Sequence, residues 1–78
     1  MIKIRRSITA REIVSALEKD GFQLHHKRGS HRTYKKGQLR VDVPYHSPGQ
    51  TYPIKTLLSI INDAGWTEDD LKRLKLIK

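Results

Sequence analysis

Gly21-Phe22-Gln23-Leu24-His25-His26-Lys27-Arg28-Gly29-Ser30-His31-Arg32-Thr33-Tyr34-Lys35-Lys36-Gly37-Gln38-Leu39-Arg40-Val41-Asp42-Val43 is the stretch on which the fold turns. After Gly21 the apolar period is two: Phe22 and Leu24 alternate with Gln23 and His25, and Leu39, Val41 and Val43 alternate with Arg40 and Asp42. The polar run His31–Lys36 lies between them, with Tyr34 its one large apolar side chain. Three short antiparallel strands follow from this pattern. Gly37-Gln38 suits a two-residue turn with glycine first, which sets Tyr34 opposite Val41, Thr33 opposite Asp42 and Lys35 opposite Arg40. Placing Leu24 opposite Tyr34 leaves Arg28-Gly29-Ser30 as the preceding loop and Lys27 across from His31. In that register Phe22, Leu24, Tyr34, Leu39, Val41 and Val43 face the core. Gln23, His25, Lys27, His31, Thr33, Lys35, Arg40 and Asp42 form an open, cationic face.

The flanks read as helices. Thr9-Ala10-Arg11-Glu12 is a capping-box sequence, in which the hydroxyl and the carboxylate satisfy backbone donors that a first turn leaves unpaired. It predicts a helix over about residues 10–20, with Ala10, Ile13, Val14 and Leu17 as its apolar stripe and Gly21 as its stop. A second helix is expected from about Ile54 to Ala64, buried through Leu57, Leu58, Ile60 and Ile61 and ended by Gly65. Thr67-Glu68-Asp69-Asp70 begins a short third helix, acidic at its start and basic at its end as the helix dipole favours, docked by Trp66, Leu71 and Leu74. The tail Leu76-Ile77-Lys78 is expected to be loosely held or partner-dependent. The order is that of a single α+β domain over residues 1–78, an α-β-β-β-α sandwich with both main helices on one sheet face and a short extra C-terminal helix.

Charge locates the working surface. The chain carries a formal charge of +8, and residues 22–55 hold seven of its sixteen basic side chains with Asp42 as their only acid. A cluster of that kind suits a polyanion, either nucleic acid or an acidic protein face. A chain of 78 residues buries roughly 60–65% of its unfolded surface, so a surface site is expected rather than an enclosed pocket. There is no cysteine, which excludes disulfides and thiolate metal sites. No apolar run approaches the roughly 20 residues of a membrane span and the basic start has no signal-peptide core behind it, so no membrane association and a cytoplasmic location are expected.

Within the basic segment, Lys27-Arg28-Gly29-Ser30-His31 brings two cations, a glycine, a hydroxyl and an imidazole together. A phosphodiester of RNA carries its own nucleophile, the 2′-hydroxyl. Its cleavage needs a proton removed, charge stabilised on the phosphorane-like transition state, and the 5′-oxygen protonated. An imidazole suits the proton transfers near neutral pH and the cations suit the phosphate. His31 is the candidate base and Ser30 a phosphate-orienting hydroxyl. Gly29-Ser30 is also ordinary hairpin-turn chemistry, and a lone surface histidine is most often just polar. Directly opposed Lys35 and Arg40 repel unless an anion sits between them.

The turn-rich run Pro44–Pro53 holds Tyr45, His46 and Tyr52. They either stack on and hydrogen-bond unpaired bases or belong to a tethered connector, and Tyr45 or His46 is the nearest candidate acid. His25 and His26 are adjacent on a strand and point to opposite faces with no third ligand near, so no metal and no cofactor are expected.

Four blocks in order then resemble one family. Glu18-Lys19-Asp20-Gly21-Phe22, Lys27-Arg28-Gly29-Ser30-His31, Val43-Pro44-Tyr45-His46 and Thr56-Leu57-Leu58-Ser59-Ile60-Ile61-Asn62-Asp63-Ala64-Gly65 look like the HicA family of toxins, over about residues 7–66. The resemblance implies a double-stranded-RNA-binding-domain-like fold and a ribosome-independent mRNA interferase; the chemistry of the 2′-hydroxyl demands no metal. It also implies neutralisation by a cognate HicB-type antitoxin. The family's catalytic histidine falls on His31, and its glycine and serine on Gly29 and Ser30. Lys27, Arg28, Gly29, Ser30, Lys35, Arg40, Tyr45 and His46 are then the expected RNA-binding residues. A non-catalytic RNA-binding module and a purely protein-binding partner are the competing readings. The first of these would carry a lysine cluster at the start of the second helix, where this chain offers only Lys55.

Overall fold

The computed structural model describes Ile4, Arg5 and Ser7–Ile77. The elements run α1 (Ala10–Lys19), β1 (Gln23–Arg28), β2 (His31–Lys36), β3 (Leu39–Pro44), α2 (Ile54–Ala64) and α3 (Glu68–Arg73). The three strands form one antiparallel sheet in sequence order. This is the α+β sandwich expected, with the double-stranded-RNA-binding-domain-like layout and the short extra C-terminal helix.

Each helix begins as its residues dictate. Thr9 accepts from the Glu12 amide while the Glu12 carboxylate accepts from the Thr9 amide, the reciprocal capping box. Ile8 and Ile13, both buried, hold the staple positions on either side of that cap. Gly65 closes α2 at φ +70°, a left-handed conformation that glycine adopts without steric cost. Thr67 and Asp70 repeat the capping box at α3.

The core lies between the helices and one sheet face. Ile13 and Leu17 of α1 and Leu57, Ile60 and Ile61 of α2 share a single buried cluster with Tyr34, Val41 and Val43. Tyr34 and Val41 are directly opposed, so both point to that face. Three expected core residues lie elsewhere. Leu24 is 49% exposed, Leu39 40% and Leu58 46%. Leu24 is on an edge strand and Leu39 opens β3, where neither helix covers them fully, and Leu58 lies on the flank of α2 turned away from Leu57 and Ile60.

The C-terminal segment also departs from expectation. Leu76 and Ile77 are buried together with Leu71, Leu74 and Trp66, so the described part of the tail is core and not loosely held, while Lys78 lies outside the described residues. Apolar burial holds it, since each of these side chains would otherwise present its surface to water. Lys75, at φ +62°, turns the chain so that Leu76 can reach inward.

A polar clamp fixes the same segment from outside. Asp20, at the end of α1, accepts from Trp66 Nε1 at 2.8 Å and Arg73 at 2.7 Å and lies 3.4 Å from the Lys36 ammonium. Burial acts to raise this carboxyl, but the hydrogen bonds from Trp66 and Arg73 and the charge of Lys36 outweigh it and hold it below its ordinary value. A depressed carboxyl contributes stability that is complete above its unfolded value of about 3.9 and is lost as pH falls through the folded value. Asp20→Ala is therefore expected to destabilise the chain by about 1–3 kcal/mol at neutral pH. It should also flatten the acid side of the stability–pH curve measured by urea unfolding. A variant as stable as wild type at pH 7 would show that the clamp does not stabilise the fold.

Candidate nucleic-acid interface

The sheet turns its other face to solvent. β2 and β3 pair as expected, with Thr33 opposite Asp42, Tyr34 opposite Val41 and Lys35 opposite Arg40. β1 and β2 do not. Leu24 opposes Tyr34, but His26 then opposes Thr33, Lys27 opposes Arg32 and Arg28 opposes His31. His25 is an extra residue in β1, a bulge, and it reverses the alternation beyond it. The loop is consequently Gly29-Ser30, with Gly29 at φ +57° in the positive-φ first position of a glycine-led two-residue turn.

This corrects the expected open face. His26 and Arg28 stand on it in place of His25 and Lys27, and Lys27 opposes Arg32 on the other side. An open cleft of about 820 Å³ is lined by His26, Arg28, Gly29, Ser30, His31, Thr33, Arg40 and Asp42. The sequence carried a signal for this. Gly29-Ser30 is the same glycine-first pair as Gly37-Gln38, and treating it as a turn sets Arg28 against His31. With Leu24 against Tyr34, β1 then has four steps where β2 has three, and one residue of β1 must bulge.

The cleft is organised in two rows across the strands. His26, Thr33 and Asp42 form one, and Arg28, His31 and Pro44 the other. Thr33, only 8% exposed, donates its hydroxyl to Asp42 Oδ1 at 2.7 Å, and Arg40 Nε lies 3.6 Å from the same oxygen. Asp42 is thereby occupied by neighbours on the floor of the cleft. His26, Arg28 and His31 are exposed, and no hydrogen bond within the chain engages their side chains among the described residues. Two imidazoles and a guanidinium thus line an open concavity with their side chains uncommitted.

Of the residues expected to bind RNA, the structure brings Arg28, Gly29, Ser30, His31 and Arg40 into this cleft. Lys35 stands on the same face one row further on, opposite Arg40. Tyr45 is tied to the turn by its amide, which donates to the Ser30 carbonyl at 2.6 Å, but its ring is covered by the Arg32 guanidinium 3.8 Å from the centroid. His46 is exposed and its amide donates to Gln50 Oε1 at 2.7 Å. Tyr52, a candidate for base stacking, is instead buried, its hydroxyl donating to the Pro44 carbonyl, and burial pushes its phenol up to about 12. The loop itself is a held connector. The Ala10 amide donates to the Gln50 carbonyl at 2.7 Å and the Arg11 amide to the Pro48 carbonyl at 3.1 Å, which satisfies donors at the start of α1.

A small cationic α+β domain that displays an imidazole-bearing hairpin on the open face of its sheet is the class that fold and site define. Comparison with known families narrows this. Residues 10–66 match the model of the family described as the HicA toxin of bacterial toxin-antitoxin, and the chain belongs to that family. It is accordingly the toxin of a toxin–antitoxin pair, with a cognate antitoxin as its partner. No curated protein matches the chain. Among the described residues no helix is long and apolar enough to cross a membrane.

Proposed function

We propose that this toxin is an endoribonuclease, an mRNA interferase acting without ribosome or metal, in which His31 removes the proton of the attacking 2′-hydroxyl. The observation that carries the reading is the placing of His31 beside Gly29-Ser30 and directly opposite Arg28 in an open cationic cleft. Arg28 offers fork-like donors to the phosphate oxygens, and their charge is worth most where it develops in the transition state. Gly29 and Ser30 let the backbone and a hydroxyl approach the same phosphate. Lys35 and Arg40 extend the cationic track along the sheet away from the turn, and Tyr45 and His46 follow Pro44 at its turn end.

A HicB-type antitoxin would neutralise the toxin by covering this face with acidic surface, which the basic surplus of residues 22–55 supports. The competing reading, a non-catalytic RNA-binding module, is less well supported. The cations gather on the sheet, and the start of α2 offers only Lys55.

Purified toxin incubated with single-stranded RNA in excess chelator is expected to cut it and leave 2′,3′-cyclic phosphate ends. Intact RNA, or cleavage only when a divalent metal is restored, would overturn the proposal.

A further inference from the structure

We infer that His26 is the second catalytic histidine, the general acid that protonates the leaving 5′-oxygen. The inference rests on the ribonuclease reading and deepens it. The bulge at His25 places His26, and not its neighbour, on the reactive face, where both it and His31 line one cleft. Bulges recur where a strand must re-aim a side chain at a site.

The geometry suits a paired proton transfer. His26 opposes Thr33, which lies two residues beyond His31 on β2, so the two histidines are diagonal neighbours on one face, about 7–8 Å apart between Cα atoms. Side chains rising from such positions flank a single phosphodiester, each within reach of one of its two reacting oxygens. In-line displacement demands that arrangement, because the attacking and leaving oxygens stand on opposite sides of phosphorus.

Position across the strands divides the roles. His26 stands one row further from the turn, in the row of Thr33 and Asp42. His31 faces Arg28, the group placed to hold the phosphate beside the attacking 2′-hydroxyl, so the remaining proton transfer, to the leaving oxygen, falls to His26. Arg40, 3.6 Å from Asp42, is the remaining charged group of the cleft. His31 accepts the 2′-hydroxyl proton as the bond from the 2′-oxygen to phosphorus forms. The bond to the 5′-oxygen breaks, and that oxygen takes the proton of His26. The products are a 2′,3′-cyclic phosphate and a free 5′-hydroxyl, and proton exchange with water restores both imidazoles.

The test compares wild type, His26→Ala, His31→Ala and the bulge control His25→Ala on two substrates. One is a dinucleotide phosphodiester. The other is a nucleoside 3′-nitrophenyl phosphate, whose leaving group departs without a proton. His26→Ala is expected to lose about 10²-fold on the dinucleotide and less than about tenfold on the nitrophenyl ester, whereas His31→Ala loses heavily on both. His25→Ala should match wild type on both. Circular dichroism establishes that each variant is folded, and His26→Gln, which keeps size and polarity, should behave as His26→Ala. Equal losses on the two substrates, or none on either, would overturn the role of His26 while leaving the nuclease reading in place. Wild-type protein that cleaves neither substrate would overturn the nuclease reading itself, and the role of His26 with it.

Discussion

His31→Ala is expected to lower the rate of RNA cleavage by about 10²–10⁴-fold, the usual contribution of a positioned acid–base group. His31 is exposed at the first position of β2 and packs into no part of the core, so its loss should change stability by no more than about 0.5 kcal/mol. Activity and stability should therefore separate, and toxicity should disappear from a protein that unfolds in urea as wild type does. Arg28→Ala should behave differently. Its guanidinium is placed to hold the phosphate, so its loss should raise KM as well as lower kcat, and should make the residual binding less sensitive to salt because one phosphate contact is gone. Single-turnover cleavage of a labelled RNA at two salt concentrations measures both. A folded His31→Ala protein that still arrests growth and cuts RNA at the wild-type rate would end the assignment.

Leu71→Ala should have the largest effect on stability, about 2–5 kcal/mol. The residue lies beyond the family-matched residues 10–66, yet it is fully buried, in one cluster with Leu17, Leu57 and Trp66. Removing its side chain leaves a void that a close-packed interior fills only in part. A chain of this length has about 4–12 kcal/mol in all, so the variant should unfold at a Tm lower by 10 °C or more, or fail to accumulate. Leu58→Ala, at an exposed position of α2, is the matched control and should change Tm little. Equal Tm values for Leu71→Ala and wild type would mean that α3 is peripheral and that the domain ends near Trp66.

Much of the fold was legible because it rests on local chemistry. Two capping boxes and the left-handed glycine at Gly65 mark helix ends whatever surrounds them, since they satisfy backbone groups within a few residues. The β2–β3 register followed from a two-residue turn and an apolar pattern that agreed with it. The β1–β2 register is less legible, because the glycine-first turn and the apolar pattern disagree by one residue. The chain absorbs it in the strand, at His25.

His31, Gly29 and Ser30 were within reach of the sequence because they are contiguous. What stands opposite them was not, because that depends on the parity of a second strand, and one extra residue there exchanges Lys27 for Arg28 and His25 for His26. The fate of the tail was likewise hidden. Leu76 and Ile77 have no periodic partner nearby in sequence, and only the gap left by α1 and the other packed elements gives their apolar surface somewhere to go.

By itself, then, the sequence determined the order of elements, the family and the hairpin that carries His31, each written in residues a few positions apart. Tertiary structure alone decided which histidine joins His31, which cation faces it and that the C-terminal residues close the core. Those outcomes depend on strand parity and on the shape of unfilled space, quantities that exist only once distant parts of the chain have met.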